Sequence, residues 1–246
     1  DGKDTFNIST ISSFVVAGSG FKVTKHGNYG VSSNCGSSNV LDSLGVKFSN
    51  DESHLKKCLE VSNICYLHAP LFHPSMKNVA PIRKDLGFKT FFNLLGPLVN
   101  PTKPQNQLTG VYNLETARLY GYIFKNKNKN FSIIYSLDGY DEISLTNEFK
   151  LITNKEEIIS DASYFKLNKV DSKKILGGKS VKESADIFVK ILGGKGSESQ
   201  VNVVLANSSL AIRTLTGKDI EECYSIAKES LESGKAYNCL KKLIEL

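Results

Sequence analysis

Short apolar runs alternate along this chain with longer stretches in which apolar residues return every three or four positions. Residues 21–24, 64–67, 107–112, 132–137 and 201–205 are β-rich runs and predict strands. The segments between them read as helices. Ile11 to Val16 form an apolar run that ends at Gly18, with Asn7, Ser9 and Thr10 standing where that helix begins. Ser180 and Glu183 have capping-box spacing ahead of Ala185, Phe188, Ile191 and Leu192, and Gly193 closes the helix. Asp219 and Glu222 frame the next one, whose Ile220, Cys223, Ile226, Ala227 and Leu231 recur at helical spacing before Gly234. Alternation of this kind predicts an α/β fold with a mixed, mainly parallel central sheet flanked by helices. Two glycine pairs, Leu176-Gly177-Gly178-Lys179 and Leu192-Gly193-Gly194-Lys195, lack the first glycine of a Walker loop and read as helix ends and turns.

The chain's 246 residues, 40% of them hydrophobic, are enough to bury a core and suit one large α/β domain or two small ones; with neither a repeat nor a clear linker along it, one domain over 1–246 is expected. Its apolar runs are too short to cross a bilayer, and the start lacks a signal-peptide pattern, so no membrane partner is expected. Cys35, Cys58, Cys65, Cys223 and Cys239 are odd in number and lack C-x-x-C spacing, which argues against a disulfide framework and a zinc site and points to the cytoplasm. A net charge of +6 suits an anionic small substrate or a nucleic acid, and charge alone does not separate them. The densest basic patch, residues 125–130 (Lys-Asn-Lys-Asn-Lys-Asn), follows a helix and reads as a solvated turn.

Lys25-His26-Gly27-Asn28, with Ser32, Ser33 and Ser37 behind it, places one cation, a glycine turn and several hydroxyls beside a helix start. Such a segment is either a polar turn or an anion pocket of the kind that receives phosphate. Asp141 and Glu142 are adjacent acids after a strand and a glycine turn, where they are either solvated or converge as hard oxygen ligands on a divalent cation. Arg83 is either a surface side chain or a two-pronged grip for a carboxylate. His68 and His73 are five residues apart across Pro70, which does not place both rings on one helix face for zinc.

Taken in order, Asp1-Gly2-Lys3-Asp4-Thr5-Phe6-Asn7-Ile8-Ser9-Thr10, Lys25-His26-Gly27-Asn28, Phe72-His73-Pro74-Ser75-Met76-Lys77, Ala80-Pro81-Ile82-Arg83-Lys84-Asp85-Leu86-Gly87, Phe92-Asn93-Leu94-Leu95-Gly96-Pro97-Leu98-Val99-Asn100-Pro101 and Asp138-Gly139-Tyr140-Asp141-Glu142-Ile143-Ser144 resemble the successive signatures of the anthranilate phosphoribosyltransferase family. The likeness runs on to Ser233-Gly234-Lys235-Ala236. It implies a nucleoside phosphorylase/phosphoribosyltransferase-like catalytic domain that transfers a phosphoribosyl group from phosphoribosyl pyrophosphate to anthranilate in tryptophan biosynthesis. By the same resemblance, Asp1, Thr5, Asn7, Ser9, Thr10, Lys25, Gly27, Asn28, Ser32, Ser33 and Ser37 bind phosphoribosyl pyrophosphate. Asn28, His73 and Arg83 bind anthranilate, and Ser9, Asp141 and Glu142 hold Mg2+ at two sites, Glu142 bridging them. No side chain is expected to act as acid or base.

The chain departs from the commoner family form at Tyr29 and Gly30, where Arg and a small residue are frequent, and at Asn39, where Asp is usual. Asp1 would be the end of the family's glycine-rich loop, so the family's N-terminal helical domain is expected to be absent from this chain, and with it the usual homodimer interface and much of the activity. Two other readings compete. A pyrimidine nucleoside phosphorylase shares the Lys-containing loop but needs neither the 93–101 segment nor the paired acids, and a non-catalytic nucleic-acid-binding relative would account for the basic charge. The intact acids and Arg83 speak against the latter, so no nucleic-acid partner is expected.

Overall fold

The computed structural model describes residues 3–30, 35–75 and 94–246. Helix α1 (Ile8–Gly18) is followed by strand β1 (Val23–Gly27), helices α2 (Ser37–Ser43) and α3 (Glu52–Ser62), strand β2 (Ile64–His68) and the single turn α4 (Ala69–Phe72). Then come β3 (Asn106–Gly110), α5 (Leu114–Lys125), β4 (Asn130–Ser136), β5 (Phe149–Thr153) and β6 (Glu157–Ser160). Four helices close the chain: α6 (Val181–Leu192), α7 (Glu198–Thr216), α8 (Ile220–Glu232) and α9 (Lys235–Ile244).

The sheet structure is mixed, as the alternating pattern predicts. β1 and β2 pair in parallel, with Lys25 opposite Tyr66. β3 and β4 also pair in parallel, whereas β4, β5 and β6 form an antiparallel meander. β2 is buried along its whole length, as expected of a strand whose two faces are both covered. The antiparallel extension was not foreseen from the pattern. Its hairpin turns tightly through residues 154–156, where the Thr153 N–H donates to the Glu156 carbonyl.

One strand expectation is overturned. Residues 201–205 lie in α7, whose centre is buried on all sides from Val203 to Leu210. A short buried apolar run carries no periodicity that separates helix from strand, and its valines favour the strand reading. The deciding residues stand outside the run: the Ser197 hydroxyl accepts from the Gln200 N–H while Gln200 Oε1 accepts from the Ser197 N–H, a reciprocal capping box.

Other local signals behave as read. The Ser180 hydroxyl caps α6 by accepting from the Glu183 N–H, and Gly193 is its C-cap. Of residues 125–130, Lys125 ends α5 and Asn130 opens β4; the turn between them is exposed at 126–128, while Lys129 is half-buried with its Nζ over the Phe124 ring. The first glycine pair has a use beyond a turn, since Gly177 lies against the extended backbone at Thr5, where a Cβ would come within 2.7 Å of the Thr5 carbonyl oxygen. An isolated antiparallel bridge between Thr5 and Leu176 and a bond from the Gly177 N–H to the Asp4 carbonyl hold that approach to α1 in place.

The main core gathers α1, β2 and the faces of α6 to α9, and a second cluster seals α5 against the sheet through Tyr120, Phe124, Phe131 and Ile133. All five cysteines are free thiols and four are buried, in keeping with reduced cysteines. Among the described residues no helix is long and apolar enough to cross a membrane.

Candidate active site

A cleft of about 810 Å³ opens where the start of α1, the length of β1, the end of β3 and the loop after β4 come together. Its walls include Ser9, Lys25, His26, Gly27, Asn28, His73, Asp141 and Glu142, so motifs more than a hundred residues apart in sequence share one space. A volume of this size accommodates a substrate the size of a sugar phosphate with its partner.

Strand alternation divides the cleft. Successive side chains of β1 point to opposite faces, so Lys25 reaches toward α1 while His26 turns toward the 94–98 segment. Lys25 Nζ donates to the Ser9 hydroxyl at 3.2 Å, and the Ser9 N–H donates to Glu142 Oε1 at 2.9 Å. On the other face His26 Nδ1 lies 3.3 Å from the Gly96 carbonyl oxygen and its ring stands edge-on to His73 at 5.3 Å. The outer nitrogens of both rings are buried and without a hydrogen-bond partner among the described residues. Burial, reinforced by His73, holds the His26 imidazole below its ordinary value and so favours its neutral form.

The charged face has the opposite character. Burial, and then the neighbouring Asp141, push the Glu142 carboxyl up to about 8, against the pull of the Ser9 N–H and Lys25. Burial likewise lowers Lys25, while the charges of Glu142 and Asp141 oppose it. A carboxyl driven toward neutrality by burial and by the acid beside it makes a site that a divalent cation relieves. Among the described residues no cluster of three His, Cys, Asp or Glu is present. Two carboxylates and a serine hydroxyl form an all-oxygen set that leaves coordination places for water and substrate oxygens, which fits magnesium better than zinc.

The acids are held from three directions. The Ser136 hydroxyl at the end of β4 donates to the Glu142 carbonyl at 2.6 Å, and Asn207 of α7 bonds both backbone groups of Ile143. At the end of β3 a Cβ on Gly110 would fall 1.5 Å from the Asp141 carbonyl oxygen, so only glycine lets the acidic loop cross there. Neither Asn207 nor Gly110 was singled out from the sequence. A buried helical amide and an isolated strand glycine each have commoner explanations.

The remaining expected residues are distributed as follows. Gly27 ends β1, where a Cβ would clash with the Ser37 hydroxyl at 2.3 Å and the Tyr66 hydroxyl at 2.4 Å. Ser37 opens α2 and bonds Tyr66 at 2.8 Å; Ser38 bonds the same phenol and His68 Nδ1. His68 is thus a buried network member, away from any pairing with His73. The Asn28 carbonyl accepts from the Ser38 N–H, and the exposed Asn28 borders the cleft. Asn7 turns its amide to the Cys35 carbonyl at 3.1 Å and makes no side-chain cap on α1, and the Thr10 side chain is buried in the first turn. Asn39 accepts from the N–H groups of Gly30 and Gly36, a role that an Asp carboxylate also fills. Asp1, Ser32, Ser33 and Arg83 lie outside the described residues.

The class of protein is fixed by residues 1–237, which match the family model described as glycosyl transferase family, a/b domain. The anthranilate phosphoribosyltransferases of Flavobacterium johnsoniae and Christiangramia forsetii are each 59% identical to the chain over all 246 residues, which cover 74% of their length. The solved anthranilate phosphoribosyltransferase of Saccharomyces cerevisiae, in complex with PRPP and Mg, superposes with a TM-score of 0.92 at 30% identity, over the whole of this chain and 70% of that one. That of Thermus thermophilus gives 0.93 at 29% identity, over the whole of this chain and 74% of that one. The chain belongs to the anthranilate phosphoribosyltransferase family.

Proposed function

We propose that the chain transfers the phosphoribosyl group of phosphoribosyl pyrophosphate to the amino nitrogen of anthranilate, releasing pyrophosphate. The supporting observation is the convergence of Lys25, Ser9, Glu142 and Asp141 on one cleft, which His26 and His73 also line. As the bond at the anomeric carbon lengthens, negative charge gathers on pyrophosphate and positive charge on the ribose ring. Groups already aimed at the leaving oxygens lower that barrier without reorganising. Lys25 supplies fixed positive charge, and the Ser37 hydroxyl would supply a donor.

Ser9, Asp141 and Glu142 would hold Mg2+, two ions in the fuller reading, which would neutralise charge on the departing pyrophosphate. The Mg in the S. cerevisiae complex supports magnesium use here. The amine of anthranilate is already a competent nucleophile. His26 and His73, packed edge to face, would form one wall beside its ring, and Asn28 with Arg83 would bind and orient its polar groups, so the acceleration comes from placement rather than from a base. The reading as a pyrimidine nucleoside phosphorylase and that as a nucleic-acid-binding relative are not favoured. Free thiols agree with a cytoplasmic setting.

The experiment that tests the function is a titration of phosphoribosyl pyrophosphate with and without magnesium chloride, followed by addition of anthranilate. Magnesium-strengthened binding and formation of phosphoribosyl-anthranilate with one pyrophosphate per turnover are expected. Phosphorolysis of thymidine with no use of anthranilate would overturn it.

A further inference from the structure

We propose that Asn207 is a positioning residue for the acidic loop: its carboxamide fixes the backbone at Ile143 and so sets where Glu142 stands against Ser9 and Lys25. The inference rests on the functional reading above and adds to it a residue outside the expected site.

Asn207 lies near the middle of α7 and is 3% exposed, although it belongs to the cleft wall. Its Oδ1 accepts from the Ile143 N–H at 3.0 Å, and its Nδ2 donates to the Ile143 carbonyl at 2.9 Å and to the Val203 carbonyl one turn back at 2.8 Å. Both donors are therefore committed, and the oxygen is engaged. A side chain that grips the N–H and the C=O of one residue pins the peptide groups on both sides of it. The first of these is the peptide group of Glu142 itself, whose carbonyl is also held by Ser136.

The neighbouring residue of α7 reaches the other half of the site. Ser208 Oγ donates to the Val204 carbonyl at 2.8 Å and lies 3.5 Å from the Ser12 carbonyl oxygen, while Ser12 Oγ bonds the Val204 carbonyl at 3.3 Å. One turn of α7 thus touches both the acidic loop and α1, the elements that meet across the Ser9 N–H and Glu142 Oε1. Asparagine is a poor residue for the interior of a helix. The double grip on Ile143 accounts for one at the centre of a buried helix. Alanine removes all three bonds, and aspartate keeps the acceptor for the Ile143 N–H but loses both donors.

The test compares wild type, Asn207→Ala, Asn207→Asp and Ser230→Ala. Ser230 is a buried hydroxyl that bonds the Val15 carbonyl at 2.7 Å and does not line the cleft, so its loss removes a buried hydrogen bond elsewhere on α1. Three quantities are read: the magnesium concentration for half-maximal turnover, calorimetric binding of phosphoribosyl pyrophosphate with and without magnesium chloride, and the unfolding temperature. Asn207→Ala is expected to raise the magnesium requirement about tenfold or more and to remove most of the magnesium-dependent gain in binding. Asn207→Asp shifts both in the same direction by less, and Ser230→Ala lowers only the unfolding temperature. Asn207 variants that lose stability as Ser230→Ala does but keep the wild-type magnesium requirement would overturn the proposal, and Asn207→Asp decides the matter alone if the alanine variant does not fold. A wild-type protein that binds phosphoribosyl pyrophosphate without regard to magnesium would instead overturn the functional reading beneath it.

Discussion

Glu142 is the residue at which structure and chemistry pull hardest against each other. Its carboxyl accepts from the Ser9 N–H at 2.9 Å yet is pushed toward neutrality by burial and by Asp141. A glutamine of the same size keeps the acceptor and removes the charge. Glu142→Gln combined with Asp141→Asn is therefore expected to abolish the magnesium dependence of phosphoribosyl pyrophosphate binding while leaving the metal-free protein at least as stable near pH 9, because the repulsion that Asp141 exerts on Glu142 is gone. Binding calorimetry and thermal unfolding measure the two halves separately; retained magnesium dependence would refute the assigned role. Arg83→Ala is expected to weaken anthranilate by about 1.5 to 3 kcal/mol and to leave phosphoribosyl pyrophosphate unaffected, since only a charge-assisted carboxylate contact is lost. Equal weakening of both ligands would mean another role. Ser9, Lys25, Asp141 and Glu142 were singled out in the sequence by the motifs that carry the family resemblance, and the structure brings all four to one cleft. Asn207 was not, because its use depends on a backbone 64 residues away.

At the scale of elements, the packing of β3 against the acidic loop offers a sharper test than any helix. Gly110→Ala would set a methyl 1.5 Å from the Asp141 carbonyl oxygen, so the loop must move and carry the acids with it. Loss of magnesium-dependent binding is expected, with a stability cost of about 1 to 3 kcal/mol from overpacking. Gly194→Ala is the counterpart: its φ is +74° with nothing within 4 Å, so it should cost about 1 kcal/mol of backbone strain and leave ligand binding alone. Denaturant unfolding and ligand titration of the two variants distinguish them, and a Gly110→Ala protein with wild-type magnesium dependence would show that the loop has slack. The elements most readily read from the sequence were those with their own punctuation, such as α6 between Ser180 and Gly193. The valine run of α7 was misread because burial on every side removes the polar face from which a helical period is recognised. The β5–β6 hairpin escaped notice because short alternations such as Phe149-Lys150-Leu151 gain meaning only beside the β4 strand they join.

Across the whole molecule, proton binding, stability and magnesium are linked through the same carboxyl. Glu142 is raised from its ordinary 4.5 to about 8, so in that interval the metal-free folded chain holds a proton that the unfolded chain has lost. The unfolded state binds fewer protons there, and stability from this group is fully present below 4.5 and declines as pH rises, levelling off above about 8. Lys25 works in the opposite sense at higher pH, because its lowered value makes the folded chain release a proton before the unfolded chain does at 10.5. Magnesium requires the carboxylate, so its binding below about 8 must expel the Glu142 proton. Calorimetry of magnesium binding in the presence of phosphoribosyl pyrophosphate, repeated in buffers of different ionisation enthalpy and corrected for the ligand's own protons, should record about one proton released from the protein near pH 6 and about none near pH 9.5. Glu142→Gln should remove the release at the lower pH. Equal proton counts for wild type and that variant would place the linked group elsewhere and detach the pH dependence from the Ser9–Glu142 contact.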